Sequence, residues 1–350
     1  MTDPVSSGSE HFPELWAKNN RGELVAAPCL SFAVYLDETD AGQVIGFFER
    51  AYETLRPNLT HYIAEQMRAP AKITARAEGM VGAWLKRPKI GHEYRIQFWG
   101  GQTLDISPWS IQVVLNYVKY DPALLAKLPA SLERWEKSTP DGQPELPYTV
   151  LRVTVPVDAE LAKPGTWIPW VLGFDVLREG RFMFAEAAYS LSIRDESGAR
   201  NFERAACSRL PGLDWFYPKH GAFLKRSEPS LNAVLYQVKR VAWMTFVSEI
   251  AVKVLGGADK IAAALADEPR IILHPVAHGL GIQAGPAPAL GDLSRNEMLP
   301  LQQRVAGVLR PVRLKGIPLA FEEAFVRHWF NMFDDKSPLP PETDQGTAKA

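Results

Sequence analysis

Apolar residues at 44, 45, 47, 48, 51, 52 and 55 recur with the period of a helix, so the stretch from Gln43 to Leu55 is predicted to be amphipathic and helical. Arg56-Pro57 stops it, because proline cannot continue the helical ladder. The run CLSFAVYL before it, residues 29–36, is short, apolar and rich in strand-formers, and DETDAG joins the two. Further on, the pattern predicts a strand over 111–118, a helix over 121–137 and a Pro-rich polar linker over 138–147. Strand-like LPYTVLRVTVPV and AEAAYSLSIR follow, then helical GARNFERAACSRL, strand VAWMTFVS and two short helices, SEIAVKVLGG and ADKIAAALAD. RIILHPVA and LGIQAG, separated by His278-Gly279, read as a hairpin, and EMLPLQQRVAGVL and LAFEEAFVRHWFNMF close the chain as helices.

This order predicts an α+β protein: two α/β half-domains with mixed or antiparallel sheets flanked by helices. The expected boundaries are a flexible tail over 1–20, an N-terminal domain over 21–145, a C-terminal domain over 146–335 and a flexible tail over 336–350. The halves echo one another. Asp37-Glu38 and Phe48-Glu49-Arg50-Ala51 match Asp195-Glu196 and Phe202-Glu203-Arg204-Ala205, each set reading strand, turn, helix. Acidic residues favour any helix N-terminus, so the echo admits both chance and a diverged internal duplication.

Composition narrows the class. An apolar fraction of 46% with 23% charged residues is that of a folded globular chain, and the net charge of -1 supplies no global field for nucleic acid or an anionic membrane. The N-terminal residues lack the basic and apolar regions of a secretory signal, and no run of about 18 apolar residues is present, so a cytoplasmic location is expected. Cys29 and Cys207 are too few for a disulfide framework or a thiolate zinc site and are expected to be small buried hydrophobes.

Candidate chemistry is sparse. The glycines of LGIQAGPAPALGDLSRNEMLP, residues 280–300, resemble a phosphate loop, but Pro286 and Pro288 remove amide donors and no Gly-Lys-Ser/Thr follows. Turn chemistry is the better reading, with a strand ending at Ala284 and a helix starting near Glu297. His274 and His278 straddle a turn without the carboxylate or thiol that would complete a metal site. No nucleophile elbow or zincin motif occurs, so no catalytic, cofactor-binding or metal-ligating residue is assigned and no cofactor is expected.

Charge is more informative locally. Residues 1–66 carry ten acidic and four basic groups, whereas 67–120 carry eight basic and three acidic. Arg68, Lys72, Arg76, Lys86, Arg87 and Lys89, with Trp84 and Trp99, are the elements of a nucleic-acid patch centred on 67–99, but no nucleic-acid-binding motif accompanies them, which favours a solvated face. Trp167 and Trp170, in the Pro/Gly-rich KPGTWIPWVLGFD, are either core anchors or contacts for a protein partner.

One resemblance is carried by the last hundred residues or so. The order Trp-containing strand, Leu-Gly-Gly helix stop, helix, hairpin ending in Gln-Ala-Gly, Leu-Gly-Asp, and a helix ending in Leu-x-Pro-Val-Arg, with the terminal RHWFNMFDD, resembles the bacterial type VI secretion immunity proteins, a family formerly described only as a domain of unknown function. CLSFAVYLD and RNFERAACSRLPGLDWF fit that family more loosely, and 67–165 match nothing in it. The resemblance implies a non-enzymatic antitoxin that binds a secreted toxin, a nuclease, and blocks its active site or assembly. Asp37, Glu38 and Asp40, facing the cationic groove of a nuclease, and Trp167 and Trp170 are then the candidate interface residues. The competing expectations are a hydrolase or nuclease with a site assembled from scattered residues, and the nucleic-acid module over 67–99.

Overall fold

Leu24–Leu36 (β2) is buried along all 13 of its residues, because strands pair with it on both edges and helices cover both of its faces. The structure is a computed structural model and describes residues 12–37, 41–65, 67–86, 92–101, 106–117, 148–194, 197–217, 220–314 and 323–334. The predicted helix over 121–137, the linker over 138–147 and most of both predicted tails lie outside them.

On one side β2 pairs with β7 (Tyr148–Pro156), which leads outward through β6 (Ser110–Tyr117) and β5 (His92–Trp99) to β3 (His61–Ala64) and β4 (Ala71–Lys72). On the other side it pairs with β8 (Phe184–Ile193), then β12 (Met244–Ser248) and the hairpin of β14 (Gly279–Ala284) with β13 (Ile271–Val276). β1 (Ala17–Lys18) pairs with β2, and β9 (Leu213–Asp214) runs parallel to β8; the other pairings of this 12-stranded sheet are antiparallel. A separate ribbon joins β10 (Lys225–Glu228) to β11 (Ala233–Tyr236). Strands from both predicted half-domains therefore share one sheet, with β6 and β7 hydrogen-bonded across the expected boundary.

The period of two along β2 sorts its side chains between two cores. Leu30, Phe32, Val34 and Leu36 pack with α1 (Ala41–Leu55), α3 (Met80–Lys86), α4 (Pro164–Leu172) and α5 (Asp175–Arg178), where Phe47 stacks on Phe174 at 4.5 Å. α2 (Ala75–Glu78) precedes α3. Ala33 and Tyr35 face the second core, built with α6 (Ser197–Arg209), α8 (Glu249–Val254), α9 (Ala258–Leu265), α10 (Pro300–Leu309) and α11 (Glu323–Asn331). α7 (His220–Phe223) links β9 to β10.

Several expectations need correction. The tail predicted over 1–20 is, from Phe12 on, docked: Leu15 is buried, Phe12 packs edge-on against Tyr189, and Ala17–Lys18 pairs with β2. The Pro/Gly-rich KPGTWIPWVLGFD forms a helix: Pro164 sits at the start of α4, where its missing amide hydrogen is harmless, and the helix continues through Pro169. The Phe-Glu-Arg-Ala echo is one of element order. Glu49 is exposed on α1 whereas Glu203 is buried on α6, and Asp195-Glu196 lie outside the described residues.

The 280–300 stretch is turn chemistry, as its prolines imply. β14 ends at Ala284, Gly291 takes φ +63, Asp292 accepts from the Ser294 amide at 2.9 Å, and α10 starts at Pro300, three residues beyond the expected Glu297. A Cβ at Gly291 would lie 2.6 Å from the Glu297 carbonyl oxygen.

Candidate partner-binding groove

One cross-strand row carries the polar chemistry of the second face. Register aligns Ile63 with Gln97, Gln112 and Arg152 across β3, β5, β6 and β7, then with Ala33, Glu186 and Thr245 across β2, β8 and β12. Aligned residues project to the same side of a sheet. The row begins on an open floor and ends under the helices of the second core. At its open end lies a groove of about 470 Å³, floored by Ile63, Glu93, Arg95, Gln97, Gln112 and Arg152, with Arg200, Glu203 and Arg204 of α6 on one wall and Trp215-Phe216-Tyr217 beside them.

Arg152 is held from behind. Its Nε donates to Ser31 Oγ at 3.1 Å and its Nη2 to Ser190 Oγ at 2.7 Å and the Leu191 carbonyl at 3.2 Å, while its guanidinium lies 4.1 Å from the Phe216 ring centroid. Glu203 is 2% exposed, and its Oε1 has no hydrogen-bond partner. Burial pushes the Glu203 carboxyl up to about 8, against the pull of Arg152. Glu93 is engaged with Arg95 at 3.0 Å.

At the closed end, Lys239 is fully buried between Asp214, at 2.8 Å, and Glu186, and its ammonium sits over the Tyr35 and Trp329 rings. Burial alone would lower its pKa, but the two carboxylates raise it. Burial, with Asp214 adding to the effect, pushes Glu186 up to about 8. Arg240 beside them donates to the Pro211 and Leu213 carbonyls and stacks 4.7 Å from Trp329. These charges are internal fixtures of the second core.

The interface candidates from the sequence scatter. Asp37, at the end of β2, ion-pairs with Lys225 and accepts from Tyr236 Oη at 2.6 Å, so its charge is already matched within the chain. Glu38 and Asp40 lie outside the described residues. Trp167 is fully buried among the helices over the first core, which removes it as a surface anchor; Trp170, half-buried beside it, keeps a reachable edge and donates to Thr54 Oγ1 at 3.2 Å.

The remaining candidate chemistry is equally dispersed. Trp84 stacks one face on Tyr94 at 5.2 Å, and Trp99 is buried. His274 meets Gln283 at 2.8 Å and His278 lies 3.5 Å from Glu249, and among the described residues no cluster of three or more His, Cys, Asp or Glu could hold a metal ion. Cys29 and Cys207 are both buried and unpaired; burial pushes the Cys29 thiol up to about 12. Among the described residues no helix is long and apolar enough to cross a membrane.

Arg152, Glu203 and Lys239 were missed by motif reasoning. A signal was present: Arg152 in VLRVTV and Glu186 in FAEAAYS interrupt apolar strands at positions that must face a core or a covered site.

The described residues thus form a helix-flanked, mostly antiparallel sheet with a polar groove at the open end of one cross-strand row. The same fold occurs in a Pseudomonas aeruginosa T6SS protein, PA0821, at a TM-score of 0.67 and 16% identity, covering 94% of this chain and 90% of that one. The family model described as type VI immunity for VRR-NUC, TsiV, matches residues 137–324, and the chain belongs to that family. No curated protein matches it in sequence.

Proposed function

We propose that this protein is an antitoxin that binds a cognate VRR-NUC nuclease toxin in the cytoplasm and neutralises it by blocking its active site or assembly, without chemistry of its own. Membership of the immunity family, spanning 137–324, carries the reading. The groove supports it, because its walls carry aromatic and Arg side chains, the types most often found as anchors at protein interfaces. An interface of this kind would bury on the order of 1,600 Å². The test is co-expression with a cognate VRR-NUC toxin. Survival with the pair and death with the toxin alone is the expected result; equal killing in both strains refutes the proposal. The hydrolase alternative is tested by the same purified protein, which on the antitoxin reading leaves single- and double-stranded DNA intact.

A further inference from the structure

The groove at the open end of the polar row holds two ionisable side chains, Arg152 and Glu203, each with one polar atom that has no hydrogen-bond partner among the described residues. Arg152 uses Nε and Nη2 on Ser31, Ser190 and Leu191, and its Nη1 makes no hydrogen bond among the described residues. Glu203, 98% enclosed, leaves Oε1 without a partner. A buried polar atom without a partner costs on the order of a lost hydrogen bond, so such a pair is retained where something completes it. Resting on the antitoxin reading, we infer that this groove receives a segment of the toxin bearing an Asp or Glu side chain, seated on Arg152 Nη1 with Glu203 donating a second hydrogen bond to the same carboxylate.

Charge decides the sign of the occupant. Glu93 and Arg95 on the floor are paired with each other, and Arg152 lies there beside a Glu203 that burial keeps protonated. A cationic side chain would be repelled by Arg152; an anionic one complements it. Glu203 can donate because burial keeps its proton on to about pH 8. The charged and titratable groups around it are Arg152 of β7, Asp214 of β9, Arg200 and Arg204 of its own helix, and Cys207 one turn along. Above that pH the two carboxylates repel, so the partner is released as pH rises. The two half-buried glutamine amides on the floor, Gln97 and Gln112, are placed to bond the backbone of the inserted segment.

The test measures binding of the full-length chain to its catalytically inactivated VRR-NUC toxin by titration calorimetry at pH 7 and pH 9. Wild type should bind at pH 7 and weaken by about tenfold by pH 9. Glu203→Gln should bind with an affinity that no longer changes between pH 7 and pH 9. Gln97→Trp with Gln112→Trp, which fills the floor without touching Arg152, should weaken binding at least tenfold with an unchanged circular-dichroism spectrum. A photo-crosslinking residue at 112 should capture a toxin peptide containing Asp or Glu. Capture of this chain itself or of a toxin peptide lacking acidic residues overturns the inference, as does binding of a fluorescein-labelled DNA oligonucleotide that the Trp pair abolishes. If wild type binds and the variants bind equally, the groove assignment fails alone; if wild type does not bind, the antitoxin reading fails with it.

Discussion

Lys239→Met removes the one ammonium that offsets Glu186 and Asp214, both almost fully enclosed. Near neutral pH the group consists of the Lys239 ammonium, the Asp214 carboxylate and a Glu186 that burial keeps protonated up to about 8. Methionine matches the volume of the lysine stem but leaves Asp214 without its counter-charge. Breaking a buried pair from one side costs about 3–5 kcal/mol, well above the cost of removing both partners together. With an unfolding entropy near 2.1 cal/mol/K per residue over 350 residues, 1 kcal/mol corresponds to about 1.4 °C, so the midpoint should fall by about 4–7 °C. Thermal melts at pH 7 followed by circular dichroism measure it. The triple variant Lys239→Met, Glu186→Gln, Asp214→Asn should regain more than half of the loss, because no uncompensated charge is left behind. A single variant melting within 1 °C of wild type, or a triple variant no better than the single, would refute the reasoning.

Three further outcomes follow from the same structure. Glu203 titrates at about 8 when folded against an ordinary value of 4.5, so the native state holds its proton over that window and stability falls as pH rises from about 4.5 through 8; Glu203→Gln should flatten that slope in urea titrations run between pH 5 and 9, and an unchanged slope counts against a buried Glu203. Hydrogen bonds from Arg209 and Ser294 hold the Asp292 carboxyl well below its usual range, so its contribution is present above pH 4 and is lost progressively as acid protonates it, and Asp292→Ala should cost about 1–2 kcal/mol at pH 7 and steadily less as pH falls below 4 by chemical denaturation. Trp167→Ala should cost about 3–5 kcal/mol as a core truncation, whereas Trp170→Ala, half-buried, should cost less than half of that; equal losses in calorimetric melts would contradict their placement.

Local pattern determined much of the secondary structure. The amphipathic stripe of α1, the strand–helix order of β8 and α6, and the β13–β14 hairpin each follow from side-chain period and turn residues, which act over a few neighbours. Even there tertiary context changed the outcome. Ala26, Ala27 and Pro28 extend β2 beyond the predicted strand because β8 and β1 supply pairing partners, and Pro28 falls between the last β7 pair at Cys29 and the first β1 pair at Ala26.

The family, too, was legible, from small residues and turns in the final third of the chain, although the match begins at 137, inside the 67–165 segment in which no motif was recognised, and ends at 324, before RHWFNMFDD. The groove was not. Gln97, Gln112, Arg152 and Glu203 come from four elements spread over more than a hundred positions, and nothing local in the chain states that β5, β6 and β7 will align them. What the sequence by itself determined is which segments become strands and helices and which family they belong to, because those depend on near neighbours and a linear order of motifs. Only the tertiary structure decided that Trp167 is core, that Asp37 is already paired, and that Arg152 and Glu203 line one recess, because burial and pairing are properties of strand register and layer packing.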